Sequence, residues 1–120
     1  MRVLLDRNVP DQMRRHLRGH AVRTTEEHGW NRLTNGDLLK IAEAERFDVL
    51  VTADQNLAYQ QNLKDRKISL VVLGTNRLSL LEAEPDRIRQ AVNAATVGGY
   101  QLIEYQLPPK QKRRPPSDPV

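Results

Sequence analysis

The feature that most constrains this chain is a short apolar run followed by polar residues, in the stretch Val49-Leu50-Val51-Thr52-Ala53-Asp54. An apolar run rich in β-branched residues predicts a strand that is covered on both faces, as in parallel sheets. In open α/β sheets, ligands bind beyond the carboxyl ends of the strands, which is where Asp54 falls. Asp54 is therefore placed for chemistry, although an aspartate here also suits the cap of a following helix.

A second strand of the same design opens the chain, because Arg2-Val3-Leu4-Leu5 leads directly into Asp6. Asn8 can cap the segment that follows, and Pro10 suits a first helical turn. Further patterns predict strands at 20–24, 48–52, 68–73 and 100–107, helices at 10–18, 34–46, 56–63 and 85–97, and loops at 25–33 and 75–82. This alternation predicts an α/β fold, a three-layer α/β/α sandwich with a mostly parallel sheet.

Whole-chain composition excludes several classes of protein. The chain has 120 residues, enough for one domain with its own core, and it has no cysteine. Disulfides, thiolate zinc sites and cysteine nucleophiles are therefore excluded. No apolar run approaches the roughly 18 residues of a membrane span and no signal-peptide pattern opens the chain, so we expect a soluble cytoplasmic protein without a membrane partner. Neither GxGxxG nor GxxxxGK(S/T), the two glycine-rich patterns that bind phosphate groups, occurs in the chain, which argues against a nucleotide cofactor.

Residues 107–120 differ in character from the rest of the chain. The net charge of the whole chain is +4, and this segment holds four cations (Lys110, Lys112, Arg113, Arg114) against one anion, Asp118. We therefore predict a folded domain at 1–106 and a basic, proline-rich, disordered tail at 107–120. Because most of the net charge lies in the tail, the high pI is weak evidence that the domain itself binds nucleic acid.

Three aspartates are candidates for one site. Asp6 and Asp54 both follow parallel-type strands, so we expect them at the same edge of the sheet. We predict that these two strands are parallel neighbours, that the strand at 68–73 lies beside the second of them, and that the last strand lies at one side of the sheet. Asp37 lies three residues after Thr34, in a predicted first helical turn, where the macrodipole favours an anion. Each aspartate also has a structural explanation as a helix cap, and spacing alone does not decide whether Asp37 reaches the other two.

Energy favours a shared cation if the three carboxylates meet. Two carboxylates ~4 Å apart repel by about 4 kcal/mol at an effective dielectric constant of about 20. That repulsion approaches the whole stability of a small domain, roughly 5–15 kcal/mol. Hard oxygen ligands without histidine or cysteine select Mg²⁺ or Mn²⁺.

Five motifs occur in a specific order along the chain: Leu4-Leu5-Asp6-Arg7-Asn8-Val9-Pro10, Gly29-Trp30, Asn35-Gly36-Asp37-Leu38-Leu39, Val51-Thr52-Ala53-Asp54-Gln55-Asn56-Leu57 and Tyr59-Gln60-Gln61-Asn62-Leu63. From about Arg2 to Ala95, this order resembles a family of small PIN-like proteins. Its members are mostly uncharacterised or predicted nucleases of toxin–antitoxin systems, distantly related to the VapC-type toxins. The resemblance implies a PIN-like fold and RNA cleavage that depends on Mg²⁺ or Mn²⁺. It implies metal binding and catalysis by Asp6, Asp37 and Asp54, with supporting roles for Asn8, Thr52 and Asn56.

The chain departs from that family at two positions. Members usually carry glutamate after the first aspartate, where this chain has Arg7, and typical PIN domains offer a fourth acid where it has Asn56. An amide oxygen can coordinate a metal but brings no charge. These departures keep a rival interpretation open, a PIN-like module without catalysis that binds RNA or protein. A phosphoacceptor receiver domain is disfavoured, because paired acids after the first strand and a lysine after a later one are not evident.

Other residues are weaker candidates for substrate contacts: Arg7, Arg14 and Arg15 for phosphates, and Tyr59 for stacking on an unpaired base. The three histidines show no metal-binding spacing on one helix face, and we interpret them as surface or packing residues. Trp30 is interpreted as the anchor of its loop. Our hypothesis is a metal-dependent endoribonuclease, the toxin of a type II toxin–antitoxin pair, with RNA as substrate and an antitoxin protein as partner. A homodimer is left open.

Deletion of residues 108–120 is expected to leave the thermal melting temperature unchanged, because a polar, proline-rich segment adds no core. The same deletion should weaken RNA binding, and the loss should shrink as salt rises, because charges on a flexible arm act through counterion release. Melting curves and binding titrations at two salt concentrations measure both effects. A clear fall in melting temperature would show that the tail packs on the domain.

Overall fold

Five short strands form one all-parallel sheet in the order β2-β1-β3-β4-β5. A computed structural model describes residues 1–55 and 66–106 of the chain. The strands are β1 (Arg2–Leu5), β2 (Ala21–Thr24), β3 (Val49–Thr52), β4 (Ser69–Leu73) and β5 (Tyr100–Ile103). The inner strands β1, β3 and β4 are almost entirely apolar because both of their faces are covered.

Short helices connect the strands. A 3₁₀ helix (Asp11–His16) follows β1, α1 (Thr25–His28) and α2 (Asn35–Ala44) follow β2, and α3 (Leu78–Ala83) and α4 (Asp86–Asn93) lie between β4 and β5. No helix in the two described ranges has the length and apolar character needed to cross a bilayer.

The predicted α/β architecture with a parallel sheet is confirmed, and so is the placement of the key strands. β1 and β3 are parallel neighbours, with Leu5 opposite Val51, and β4 lies on the other side of β3. β5 lies at an edge of the sheet, as the sequence predicts for the last strand. Asp6 and Asp54 therefore follow adjacent strands at the same edge.

Two segments predicted as loops contain helices. Thr24 and Glu27 form a capping box, in which each side chain accepts a hydrogen bond from the backbone N–H of the other, at 2.9 and 3.1 Å. These bonds start α1, and Gly29 ends it with a φ of 73°, a conformation that glycine adopts without strain. Later in the chain, α3 forms where Leu81 enters the core. Helices of one or two turns leave too short a periodic pattern for sequence prediction.

The segment after Pro10 also differs from the prediction. It is a 3₁₀ helix that ends at His16, and no side chain caps its start. The cap role predicted for Asn8 is wrong, because Asn8 binds a different strand end. Short helices without capped N–H groups commonly adopt the tighter 3₁₀ form. The helix predicted at 56–63 and the tail at 107–120 lie outside the described residues.

Side chains alternate between the two faces of the sheet, and each face has its own apolar cluster. One cluster joins Leu5 and Val51 of the sheet to helix residues Met13, Leu81, Ile88 and Val92. The other joins Leu50 and Val72 to Leu38, Leu39 and Ala42 of α2 and to Phe47. Helix residues thus contribute to the apolar cluster on each face of the sheet.

Aromatic packing fixes the loop after α1. Trp30 stacks on His28 with ring centroids 4.2 Å apart, and its indole meets Phe47 edge-on at 6.1 Å. This confirms the interpretation of Trp30 as a loop anchor and of His28 as a packing residue. The other histidines bind neighbouring side chains, His16 with Glu82 and His20 with Asn93.

Glu43 ties α2 to the start of β4. Its carboxylate accepts hydrogen bonds from Arg66 Nη1 (2.6 Å) and from the backbone N–H groups of Lys67 (2.6 Å) and Ile68 (3.4 Å). Burial by itself raises the pKa of Glu43, but these bonds and the Arg66 charge outweigh it and hold the pKa below its ordinary value of 4.5.

Glu43→Gln is expected to lower the free energy of unfolding at neutral pH by about 1–3 kcal/mol, because hydrogen bonds to a charged acceptor are weakened. The folded pKa lies below the unfolded one, so this stabilisation is complete above pH 4.5 and is lost as the pH falls through the folded pKa. The difference between wild type and variant should therefore shrink in acid. Urea denaturation at neutral and acidic pH measures it.

Glu45→Gln is the matched control, since Glu45 is exposed at the end of the same helix. It should change the free energy of unfolding by less than about 0.5 kcal/mol. Equal losses in the two variants, or a loss at Glu43 that does not depend on pH, would contradict the role assigned to Glu43.

Candidate functional site

The candidate site lies where the order of strands across the sheet reverses. From β1 the chain first adds β2 on one side, then returns to add β3 on the other side. In open parallel sheets, the crevice beyond such a reversal is where ligands bind. Asp6 comes directly after β1 and Asp54 comes two residues after β3, so the two acids flank this position.

Thr52 joins the two strand ends through its hydroxyl group. Its side chain is fully buried at the last position of β3. Thr52 Oγ1 lies 2.8 Å from Asp6 Oδ2 and 3.1 Å from the backbone N of Asp54. Because a hydroxyl has one proton, Thr52 donates to the Asp6 carboxylate and accepts from the Asp54 N–H. This pair of hydrogen bonds, the Thr52 bridge, fixes the turn after β1 to the turn after β3.

Asp6 is held from several directions. Its Oδ1 accepts a hydrogen bond from the backbone N–H of Arg7 at 2.8 Å, while Oδ2 belongs to the Thr52 bridge. Its own N–H donates to the carbonyl of Val51 at 2.9 Å. Asp6 is buried, with 8% of the residue exposed. Asp6 does not cap a helix, because the next helix begins at Asp11 with no side-chain cap.

Asn8 supports the same strand end from the other direction. Its Oδ1 accepts the backbone N–H of Ala53 at 2.9 Å and lies 3.4 Å from Thr52 Oγ1. The polar residues after β1 therefore satisfy the backbone after β3, where no sheet partner remains. Asn8 thus contacts the end of β3 across the sheet, which its spacing alone does not reveal.

Asp54 is tied to the start of α2. Asn35 is the first residue of that helix, and its Nδ2 donates to Asp54 Oδ2 at 3.2 Å. Sequence reasoning did not identify Asn35 as a site residue. Its position directly after the capping residue Thr34 places it at a predicted helix start. Only Asp37 of that turn was predicted to bind a metal, because it has a carboxylate.

Asp37 takes the cap-box position that its spacing predicts. Its backbone N–H donates to Thr34 Oγ1 at 3.3 Å, and its side chain is exposed in the first turn of α2. Within residues 1–55 and 66–106, no three acidic or histidine side chains form a group able to hold a metal. The described structure thus connects Asp6, through Thr52, with the backbone of Asp54, and places Asp37 two residues after Asn35 in α2.

The oxygen atoms at the strand ends are of the chemical type that binds a hard cation. Both Asp6 oxygens accept one hydrogen bond each and keep a further lone pair, as an acceptor-only carboxylate does. Carboxylate, hydroxyl and amide oxygens are the ligands that Mg²⁺ and Mn²⁺ prefer, and no thiolate competes in a chain without cysteine.

A cleft of about 320 Å³ opens beside Asp6, above the carboxyl ends of β1 and β2. Its charged lining consists of three acids, Asp6, Asp11 and Glu26, and one base, Arg7. The guanidinium of Arg7 donates to the backbone carbonyl of Asn31 at 2.7 Å, which fixes it at the cleft wall. The cleft is therefore acidic overall.

The other predicted substrate contacts are engaged elsewhere or lie outside the described residues. Arg14 forms an ion pair with Glu27 at 2.6 Å, and Arg15 forms one with Glu82. These acids offset the positive charge of the 3₁₀ helix. Asn56 and Tyr59 lie outside the described residues.

Comparison of the chain with protein-family models, with curated proteins and with solved structures gave no match.

Thr52→Val keeps the shape of the side chain and removes the hydroxyl. Asp6 Oδ2 and the Asp54 N–H then each lose a partner, so the free energy of unfolding should fall by about 1–3 kcal/mol. Thr75→Val is the matched control, because Thr75 is also buried at this edge but its hydroxyl accepts a single hydrogen bond, from Arg77 N–H at 3.1 Å. Urea denaturation should show a smaller loss for the control. Equal losses would contradict the Thr52 bridge.

Proposed function

We propose that this protein is a metal-dependent endoribonuclease with a PIN-like fold, a three-layer α/β/α sandwich, and that it is the toxin of a toxin–antitoxin pair. The observation that supports this most is the connection of two aspartates, Asp6 and Asp54, by the Thr52 bridge at the reversal of strand order. The order of motifs along the chain and the packing of helices on both faces support the fold.

In this proposal, Asp6 and Asp54 bind Mg²⁺ or Mn²⁺, and Asp37 binds a second ion or orients the attacking water. A bound cation stabilises the negative charge that develops on a phosphate during hydrolysis. The residues around Asp6 and Asp54 hold the two side chains in position. Asp6 is fixed by Arg7 N–H and Thr52, and Asp54 is fixed by Asn35, so that little reorganisation is needed when a ligand arrives.

The charge of the cleft explains why an RNA nuclease built this way depends on a cation. Three acids and one base line the cleft, and such a surface repels a phosphate. The nearby cations Arg14 and Arg15 are already paired with acids. In this proposal, a bound cation supplies the attraction of an RNA phosphate to this edge.

A second candidate function is a PIN-like module that binds RNA or protein without cleaving it. Two observations favour it: in residues 1–55 and 66–106 no three acidic or histidine side chains form a group able to hold a metal, and Arg7 stands beside Asp6 where the family usually has an acid. The two candidates differ in their response to divalent ions.

Mn²⁺ is expected to stabilise the wild-type protein by about 2.7 kcal/mol at ~100 times its dissociation constant, because the ion binds the folded state. Asp54→Asn removes one charged ligand but keeps an oxygen that can accept from Asn35. The variant should lose most of this gain and all RNA cleavage, while its stability with chelator stays close to wild type. Thermal melts with Mn²⁺ and with chelator measure the stabilisation by the ion and the stability of the metal-free protein.

Asp48→Asn is the matched control, because Asp48 lies at the opposite end of the same strand, where it accepts Arg2 N–H at 2.8 Å. It should keep both the Mn²⁺ response and cleavage. Melting of wild type that ignores Mn²⁺ would contradict the metal-dependent nuclease. A Mn²⁺ response that depends on Asp54, without cleavage of any RNA, would favour the binding module.

A further inference from the structure

The two edge strands of the sheet differ in the contacts that their outward backbone groups make. A parallel sheet of five strands has two edge strands, here β2 and β5, and each turns the backbone N–H and C=O of alternate residues outward. Such rows of unpaired groups are templates for another strand, and proteins usually block them. Both edge strands have four residues, so length does not distinguish them.

The β2 edge is blocked by its own side chains. Ala21 N–H donates to the carbonyl of Met1, so Ala21 faces β1 and its neighbours Val22 and Thr24 turn outward. The outward carbonyl of Val22 accepts from Arg23 Nη1 at 3.2 Å, and the outward N–H of Thr24 donates to Glu27 Oε1 at 2.9 Å. A charged side chain thus closes each of these two groups.

The β5 edge carries no such contact within the described part of the chain. Leu70 N–H donates to the carbonyl of Gly99 and Gly74 N–H to that of Ile103, so residues 99, 101 and 103 face β4. Tyr100 and Leu102 therefore turn their backbone groups outward. Across residues 1–55 and 66–106, no hydrogen bond reaches these four groups. Beyond the strand, the carbonyl of Glu104 is closed by Arg87 Nη1 at 2.6 Å, which limits the open stretch to β5 itself.

The side chains along the open edge are uncharged and partly apolar. Tyr100 is 44% exposed and Leu102 is 42% exposed, and both belong to the same face of the strand. Val97, just before β5, is 81% exposed. No lysine or arginine lies within β5 to oppose an incoming strand, whereas β2 has Arg23.

We propose that β5 is a self-association edge, and that its occupant is β5 of a second copy of this chain, paired antiparallel across a two-fold axis. The register follows from which groups face outward. With the axis at Gln101, Tyr100 of each copy pairs with Leu102 of the other, and the two residues exchange both backbone hydrogen bonds. Four hydrogen bonds close the seam, and the tyrosine and leucine side chains meet on one face.

Charge and space agree with this register. Glu104 of each copy lies opposite Gly98 of the other, so the two Glu104 carboxylates do not oppose each other. A groove of about 330 Å³ beside Gln101 and Ile103 leaves room on the α4 face for the second copy's Gln101. The seam is small compared with the roughly 1,200–2,000 Å² of stable interfaces, so the dimer is weak and concentration-dependent. Its two candidate sites face opposite ends of a ten-stranded sheet.

Amide hydrogen exchange of the full chain, followed by NMR at low and high protein concentration, tests the register. The outward amides of Tyr100 and Leu102 should gain protection as concentration rises, while those of Gln101 and Ile103 are protected throughout. The outward amide of Val22 on the β2 edge should not respond. Sedimentation equilibrium should show a mass that rises from 13.8 kDa towards twice that value.

Leu102→Lys places like charges near the seam and should raise the dimer dissociation constant at least about tenfold. Ala21→Lys is the matched control, since Ala21 is an exposed residue on the other edge strand, and it should leave association unchanged. A monomer up to about 1 mM would overturn the proposal. So would a dimer that ignores Leu102→Lys, or protection of Tyr100 and Leu102 that is independent of concentration, which would mean that the chain covers its own edge.

Discussion

Parallel pairing of β1 with β3 is the constraint on which the rest of the structure depends. It brings the ends of two strands, 46 residues apart in sequence, to one edge and lets the buried Thr52 hydroxyl connect Asp6 with the turn that holds Asp54. A buried hydroxyl without partners is costly, so the pairing and the bridge stabilise each other. Asn8 completes the connection by binding the N–H of Ala53. The strand order reverses at the same place, and the cleft beside Asp6 opens at this end of the sheet.

The charge of the cleft favours a cation over an anion. Acids dominate the cleft beside Asp6, and the arginines of the nearby 3₁₀ helix are paired with Glu27 and Glu82. The backbone N–H of Thr24, followed by the Arg14 guanidinium, holds the pKa of Glu27 below its ordinary value. A surface of this kind attracts a divalent cation more readily than a bare phosphate. The same Glu27 starts α1 and closes one sheet edge, so one short segment serves both the cleft wall and the protection of β2.

Several features were predictable because they leave a clear pattern along the chain. Alternation of apolar runs with helical patterns predicted the α/β fold, the parallel pairing of the strands that precede Asp6 and Asp54, and the edge position of the last strand. Thr34 was predictable as the cap of α2 because the capping pattern spans three residues. The short helices α1 and α3 were missed, since one or two turns give no clear period and depend on contacts such as the burial of Leu81.

The sequence by itself determined where the inner strands lie and that two aspartates follow them, because burial on both faces requires continuous apolar runs. Only the tertiary structure decided which side chains meet there. Asn35 binds Asp54, 19 positions later in the chain. Asn8, predicted as a helix cap, instead accepts a hydrogen bond from the backbone after β3. The contacts that close the β2 edge were also decided at this level. The physical reason is that a hydrogen bond between distant residues depends on the order of strands in the sheet, which no local pattern of residues encodes.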